Sequence, residues 1–85
     1  MTYKVLLERS AQRDFRSLDS QIADRVQQKI DILSKNPRTH GAIQLRNLNP
    51  PRYRIRVGQW RILYVIDDEK TEVRIYRIKH RSKAY

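Results

Sequence analysis

The run Arg52–Asp67, RYRIRVGQWRILYVID, constrains this chain more than any other stretch. Tyr53, Ile55 and Val57 alternate with Arg52, Arg54 and Arg56, the period-two pattern of a strand with one buried face. Gly58-Gln59 fits a two-residue loop, with glycine at the first central position as a type II′ turn requires. A second strand follows from Trp60 to Ile66. That loop length sets the register: Val57 faces Trp60, Arg56 lies opposite Arg61, and Arg54 lies opposite Leu63. Like charges directly opposite one another destabilise a strand pair by roughly 0.2–1 kcal/mol. A sheet that sets guanidinium beside guanidinium is expected to hold a pocket for an anion. A solvated strand face is the plainer reading of the same alternation.

The rest of the chain supplies what such a hairpin needs to cover it. Residues 2–7 read as a strand, with Tyr3, Val5 and Leu7 on one side and Lys4 and Leu6 on the other. Ser10 is a suitable N-cap for a helix carrying Ala11, Phe15 and Leu18. Asp19 caps a second helix, whose Ile22, Val26, Ile30 and Leu33 form one apolar stripe. Asn36-Pro37 ends it, because the residue before proline is pushed out of the α region. Residues 42–48 read as a short strand or as a turn carrying Leu45 and Leu48 inward, with strand the preferred reading. Asn49-Pro50-Pro51 breaks regular structure before the hairpin. Asp67–Lys70 makes a turn, and 71–79 the last strand, with Val73 and Ile75 on one face and Arg74, Tyr76 and Ile78 on the other. The expectation is a single α+β domain over 1–85: an N-terminal strand, a helical hairpin, then a mostly antiparallel sheet, in the order β-α-α-β-β-β.

Eighty-five residues leave room for one modest core and no second site-bearing module. Nineteen Lys+Arg against nine Asp+Glu give a net charge of +10, which points to a polyanionic partner. Nucleic acid and an acidic protein both satisfy that sign. The absence of cysteine excludes disulfides, thiolate nucleophiles and Cys-bound zinc. No apolar run spans a bilayer and no signal sequence opens the chain, so a cytoplasmic protein without membrane attachment is expected.

The side chains narrow the chemistry further. The adjacent acids Asp67 and Asp68 solvate a turn more readily than they hold a hard cation, which takes six or more oxygen ligands. With only Gly41 and Gly58 there is no glycine-rich phosphate loop. The expectation is a site with no metal and no cofactor, in which arginine, tyrosine and histidine do the work. That set can act on RNA, which brings its own nucleophile in the 2′-hydroxyl. Cleavage then needs a base, cations for the phosphorane, and a proton donor for the leaving oxygen. Arg54, Arg56 and Arg61 can hold the phosphate by paired hydrogen bonds. Nearby guanidinium charges favour a phenolate, so Tyr85 can serve as base, and His80 is a second candidate for that role. The plain alternatives are a surface ring at a chain end for Tyr85 and a surface imidazole for His80. Trp60 and Tyr64 read as packing residues, and His40 as a loop residue.

The helical hairpin followed by YRIRVGQWRILYVID and then by VRIYRIKHRSKAY resembles the RelE/ParE toxin superfamily, and within it the RelE-like branch. The resemblance covers essentially the whole chain. Its most specific parts are the Y-R-I-R-x-G-x-x-R-I-L-Y hairpin and the H-R-x-x-x-Y tail. It implies the RelE-like microbial RNase fold and a ribosome-dependent endoribonuclease that cuts messenger RNA in the decoding site and arrests translation. It further implies neutralisation by a cognate RelB-like antitoxin in a toxin–antitoxin hetero-oligomer. Residue by residue, the resemblance implies that Arg54 and Arg56, with Arg52 on the same strand, bind and orient RNA phosphates. Arg61 matches the arginine that stabilises the phosphorane, Arg81 one that stabilises the transition state, and Tyr85 the general base. His80 stands as the alternative base. A ParE-like inhibitor of DNA gyrase, acting without catalysis, shares the fold and is the competing expectation.

Overall fold

The computed structural model describes residues 2–45 and 50–83. Strand β1 (Lys4–Leu7) leads into helices α1 (Arg9–Arg16) and α2 (Ser20–Lys35). Then come β2 (Ile43–Leu45), β3 (Arg52–Val57), β4 (Trp60–Asp67), β5 (Glu72–His80) and a 3-10 turn, Arg81–Lys83. The strand preferred for residues 42–48 forms over Ile43–Leu45 and pairs with β3, so four strands rather than the three of the expected order follow the helices; Leu48 and Asn49 lie outside the described residues. The sheet order is β1-β5-β4-β3-β2. Its pairs are antiparallel except for β1 beside β5, which run parallel.

The helices form where the apolar spacing placed them, with one change of cap. α1 starts at Arg9 behind Glu8, whose side chain makes no capping bond, so Ser10 is inside the helix rather than its cap. The backbone already turns helical where the chain leaves β1, before Ser10 is reached. Asp19 caps α2 as expected, its carboxylate accepting from the Ile22 N–H at 3.0 Å. α2 ends at Asn36, before Pro37. Val26, Ile30 and Leu33 of α2 are buried against the sheet, while α1 packs on β5 and β1.

The core lies on one side of the sheet. Tyr53, Ile55 and Val57 meet Ile62, Tyr64, Val73 and Ile75 there, beneath the two helices. Tyr64 is fully buried, and its hydroxyl donates to the Pro37 carbonyl at 2.7 Å, fastening the end of α2 to the sheet centre. Desolvation by burial pushes the Tyr64 phenol far above its ordinary range. The hairpin register is as read from the sequence: Val57 opposite Trp60, Arg56 opposite Arg61, Arg54 opposite Leu63. Gly58 has φ +58°, in the left-handed region the turn demands.

Ile78 departs from the expected alternation. The β4–β5 register shifts between Leu63 and Tyr64, so that Leu63 faces Arg77 while Tyr64 faces Ile75. Tyr76 is the extra residue of a β-bulge, and everything after it changes face. Ile78 therefore joins Val73 and Ile75 in the core, 2% exposed. β1 pairs β5 only as far as Ile75, leaving the later β5 backbone at an open edge. Asp14 of α1 covers that edge. Its carboxylate accepts from the Ile78 N–H at 2.9 Å and from Arg77 Nε at 2.8 Å.

Candidate functional site

The tight β3–β4 turn brings arginines from two adjacent strands to the tip of the hairpin. Arg56, Gly58, Gln59, Arg61 and Arg81 line one depression of about 270 Å³, and among the described residues no carboxylate lines it. Arg81 arrives from the C-terminal end of β5, the strand beside β4. Trp60 pairs with His80, so the chain leaving β5 emerges beside the turn, and the Arg81 N–H donates to the Gln59 carbonyl at 2.7 Å. Two residues remote in sequence, Arg56 and Arg81, thereby share a wall with Arg61.

Arg61 differs from the exposed arginine the strand pattern predicts: only 8% of it is accessible. β4 is the middle strand of the sheet, and Arg61 is flanked in register by Arg56 on β3 and Lys79 on β5. A guanidinium is weakly hydrated and delocalised, so it tolerates this position better than an ammonium. Three cations in lateral register oppose one another electrostatically, and an anion seated among them relieves that opposition. Lys79 carried no signal as a member of this row, because the bulge that sets its face leaves no mark in composition.

The other expected site residues are more dispersed. Arg54 stands one pleat from Arg56 on the same face, between Ile43 and Leu63. Arg52 is at the far end of β3, its guanidinium 5.2 Å from the centre of the Tyr76 ring. With Tyr76, Val65, Arg74 and Glu8 it lines a separate hollow. His80 points to the other side of the sheet, edge-on to Trp60 with ring centres 5.3 Å apart. There it borders a cleft of about 450 Å³ with Asp14, Ser17 and Arg77. Its Nδ1 lies 3.0 Å from the Ser82 hydroxyl, within the turn that carries Arg81. Tyr85 lies outside the described residues. The described residues contain no group of three or more His, Asp or Glu side chains arranged to hold a metal.

A family model described as the ParE toxin of the type II toxin–antitoxin system parDE matches residues 5–85. The chain belongs to the RelE/ParE superfamily of type II toxins. The toxin is 37% identical to Toxin RelG of Mycobacterium tuberculosis, over 100% of its own length and 98% of that relative. It superposes with TM-score 0.84 on a chain of the RelBE2 toxin–antitoxin complex from the same organism. That match has 33% identity and covers 98% of the toxin and 95% of the other chain. The archaeal RelE–RelB complex of Pyrococcus horikoshii gives TM-score 0.85 at 26% identity, covering 99% and 100%. These comparisons agree with the α+β architecture read from the sequence. The elements that position the toxin's arginines are those of the shared fold.

Proposed function

We propose that this toxin is a ribosome-dependent endoribonuclease that cuts messenger RNA in the decoding site and so inhibits translation. The observation that supports this most directly is the convergence of Arg56, Arg61 and Arg81 on one depression at the hairpin tip. In the proposed reaction the 2′-hydroxyl loses its proton to a base and its oxygen bonds to the adjacent phosphorus. The P–O5′ bond breaks, leaving a 2′,3′-cyclic phosphate, and the departing 5′-oxygen takes up a proton. Negative charge grows on the non-bridging oxygens as the phosphorane forms, which is where fixed guanidinium donors act most strongly.

Arg61 is assigned to the phosphorane because burial holds it in place and strengthens its field. Arg56 orients the scissile phosphate, Arg54 and Arg52 the strand leading from it, and Arg81 offsets charge at the leaving oxygen. Arginine stays protonated at any working pH, so Arg81 acts by charge and hydrogen bonding rather than by giving up a proton. Tyr85 is assigned as general base. His80 is the alternative, but its ring lies on the helix side of the sheet against Trp60 and Ser82, where it is suited to positioning Arg81. The reaction as proposed requires no resident metal or cofactor.

The proposed physiological partner is a RelB-like antitoxin, since two of the toxin's structural relatives are described as RelE–RelB or RelBE complexes. The family model is described as a ParE toxin, and the second reading is a ParE-like inhibitor of DNA gyrase. A gyrase inhibitor has no need of three arginines around one depression. The deciding experiment incubates the toxin with messenger RNA, with and without translating ribosomes, and maps new 5′ ends. Cuts confined to the decoding-site codon and dependent on ribosomes are expected. Intact RNA in both reactions, together with inhibited gyrase supercoiling, would establish the second reading.

A further inference from the structure

Gly58 does more than make the turn. A β-carbon built on it would lie 3.2 and 3.3 Å from the Arg25 guanidinium nitrogens, so Arg25 of α2 rests directly against the hairpin tip. Arg25, Gln28, Lys29 and Ile32 fall on one helix face, three and four residues apart. With Arg56, Val57 and Gly58 they line a second depression of about 230 Å³, and among the described residues no carboxylate lines it. The two depressions share Arg56 and Gly58, so a cationic surface runs around the turn from Arg81 and Arg61, through Arg56, to Arg25 and Lys29. Among the described residues, neither Arg25, Lys29 nor Arg56 forms a salt bridge with a carboxylate.

We infer that Arg25 and Lys29 form a second phosphate subsite, which binds the message backbone next to the phosphate held by Arg56, Arg61 and Arg81. The chemistry it recognises is a phosphodiester: an arginine fork and a lysine point charge beside an open cationic surface. The Arg25 guanidinium lies against a residue with no side chain, which lets it approach the hairpin tip closely. A single RNA strand passing over Arg56 is then gripped on both sides of the turn. An acidic protein segment would meet the same charges, but continuity with the arginines of the cleavage site favours the strand being cut. This inference rests on the nuclease reading.

The test measures binding to ribosomes programmed with a message 2′-O-methylated at the decoding codon, which blocks cleavage. The double variant R25Q/K29Q is compared with R13Q/R16Q, which removes the same charge from the exposed face of α1. R25Q/K29Q is expected to bind programmed ribosomes about tenfold more weakly. The slope of log Kd against log salt should fall by about 0.7 for each single-strand phosphate that is no longer neutralised. R13Q/R16Q and vacant ribosomes should show a much smaller change. Equal weakening in both double variants would mean that net charge alone is sensed, and would overturn the subsite. Equal weakening on vacant and programmed ribosomes would place the interaction on ribosomal RNA, overturning its assignment to the message. Unchanged binding and slope in R25Q/K29Q, with wild-type toxin cutting normally, would remove the subsite and leave the nuclease reading intact. Wild-type toxin that neither cuts message nor binds programmed ribosomes would overturn both.

Discussion

Arg61 is the single side chain in which burial and charge meet most directly. Its burial makes it a better electrostatic device than an exposed arginine, because solvent screens it less. Loss of one preorganised donor from a charge-stabilising site costs about 10²–10³ in rate. Arg61→Ala should therefore cut single-turnover cleavage on programmed ribosomes by at least about a hundredfold. Arg61→Lys should recover little of it, since an ammonium lacks the paired donors. Circular dichroism separates this from misfolding, and a well-folded variant cutting at full rate would remove Arg61 from the site. The face Arg61 occupies was legible from the period-two alternation and the two-residue turn. Its burial was not, because that depends on β5 lying alongside β4, a pairing set by residues more than ten positions away. Tyr64 illustrates the same division: its inward side was readable, but its bond to Pro37 was not. Tyr64→Phe leaves that carbonyl without its donor and should cost about 1–3 kcal/mol in urea unfolding.

Among the elements, two joints carry more than their sequences announce. The first is the edge of β5 beyond β1, which Asp14 closes through Ile78 and Arg77. Burial pushes the Asp14 carboxyl up, but hydrogen bonds from Arg77 and Ile78 outweigh it and hold the group below its usual range. Asp14→Ala should cost about 2–3 kcal/mol, since a charge-assisted bond is removed and a strand N–H is left open. The second joint is the β4–β5 turn, where Thr71 has φ +53°. A β-branched residue in the left-handed region is strained by about 1 kcal/mol. Thr71→Asn should raise the melting temperature by a few degrees, and a drop would show that the Thr71 side chain has a packing role. The helices, their apolar stripes, the hairpin and the Asp19 cap could all be read locally. The bulge at Tyr76 could not, for it arises from how two strands pair rather than from what either contains. Ile78 lies on the face opposite to the expected one for that one reason.

Across the whole molecule, charge acts on stability and on association in opposite directions. With a net charge of +10, the folded chain repels itself, and its few structural carboxylates have particular weight. Arg38, then Tyr3, hold the Asp68 carboxyl below its ordinary range, as Arg77 and Ile78 do Asp14. Both groups have a lower pKa folded than unfolded. Their contribution is complete above the ordinary carboxyl value of 3.8 and is lost as pH falls through the lower folded values. Acid therefore removes two attractive interactions while the net charge climbs, and unfolding monitored by circular dichroism should set in below about pH 4. Asp14→Asn should flatten part of that dependence. Salt acts on the same field from outside. The Debye length falls from about 10 Å at 0.1 M to about 3 Å at 1 M, so added salt screens repulsion among 19 cations more than attraction to 9 anions. The free toxin should melt at a higher temperature as salt rises. Its binding to programmed ribosomes should weaken over the same range, because phosphate binding releases counterions. A melting temperature that falls with salt would mean that surface ion pairs such as Arg38–Asp68 outweigh the repulsion. Salt-insensitive ribosome binding would mean that the basic hairpin tip does not touch RNA.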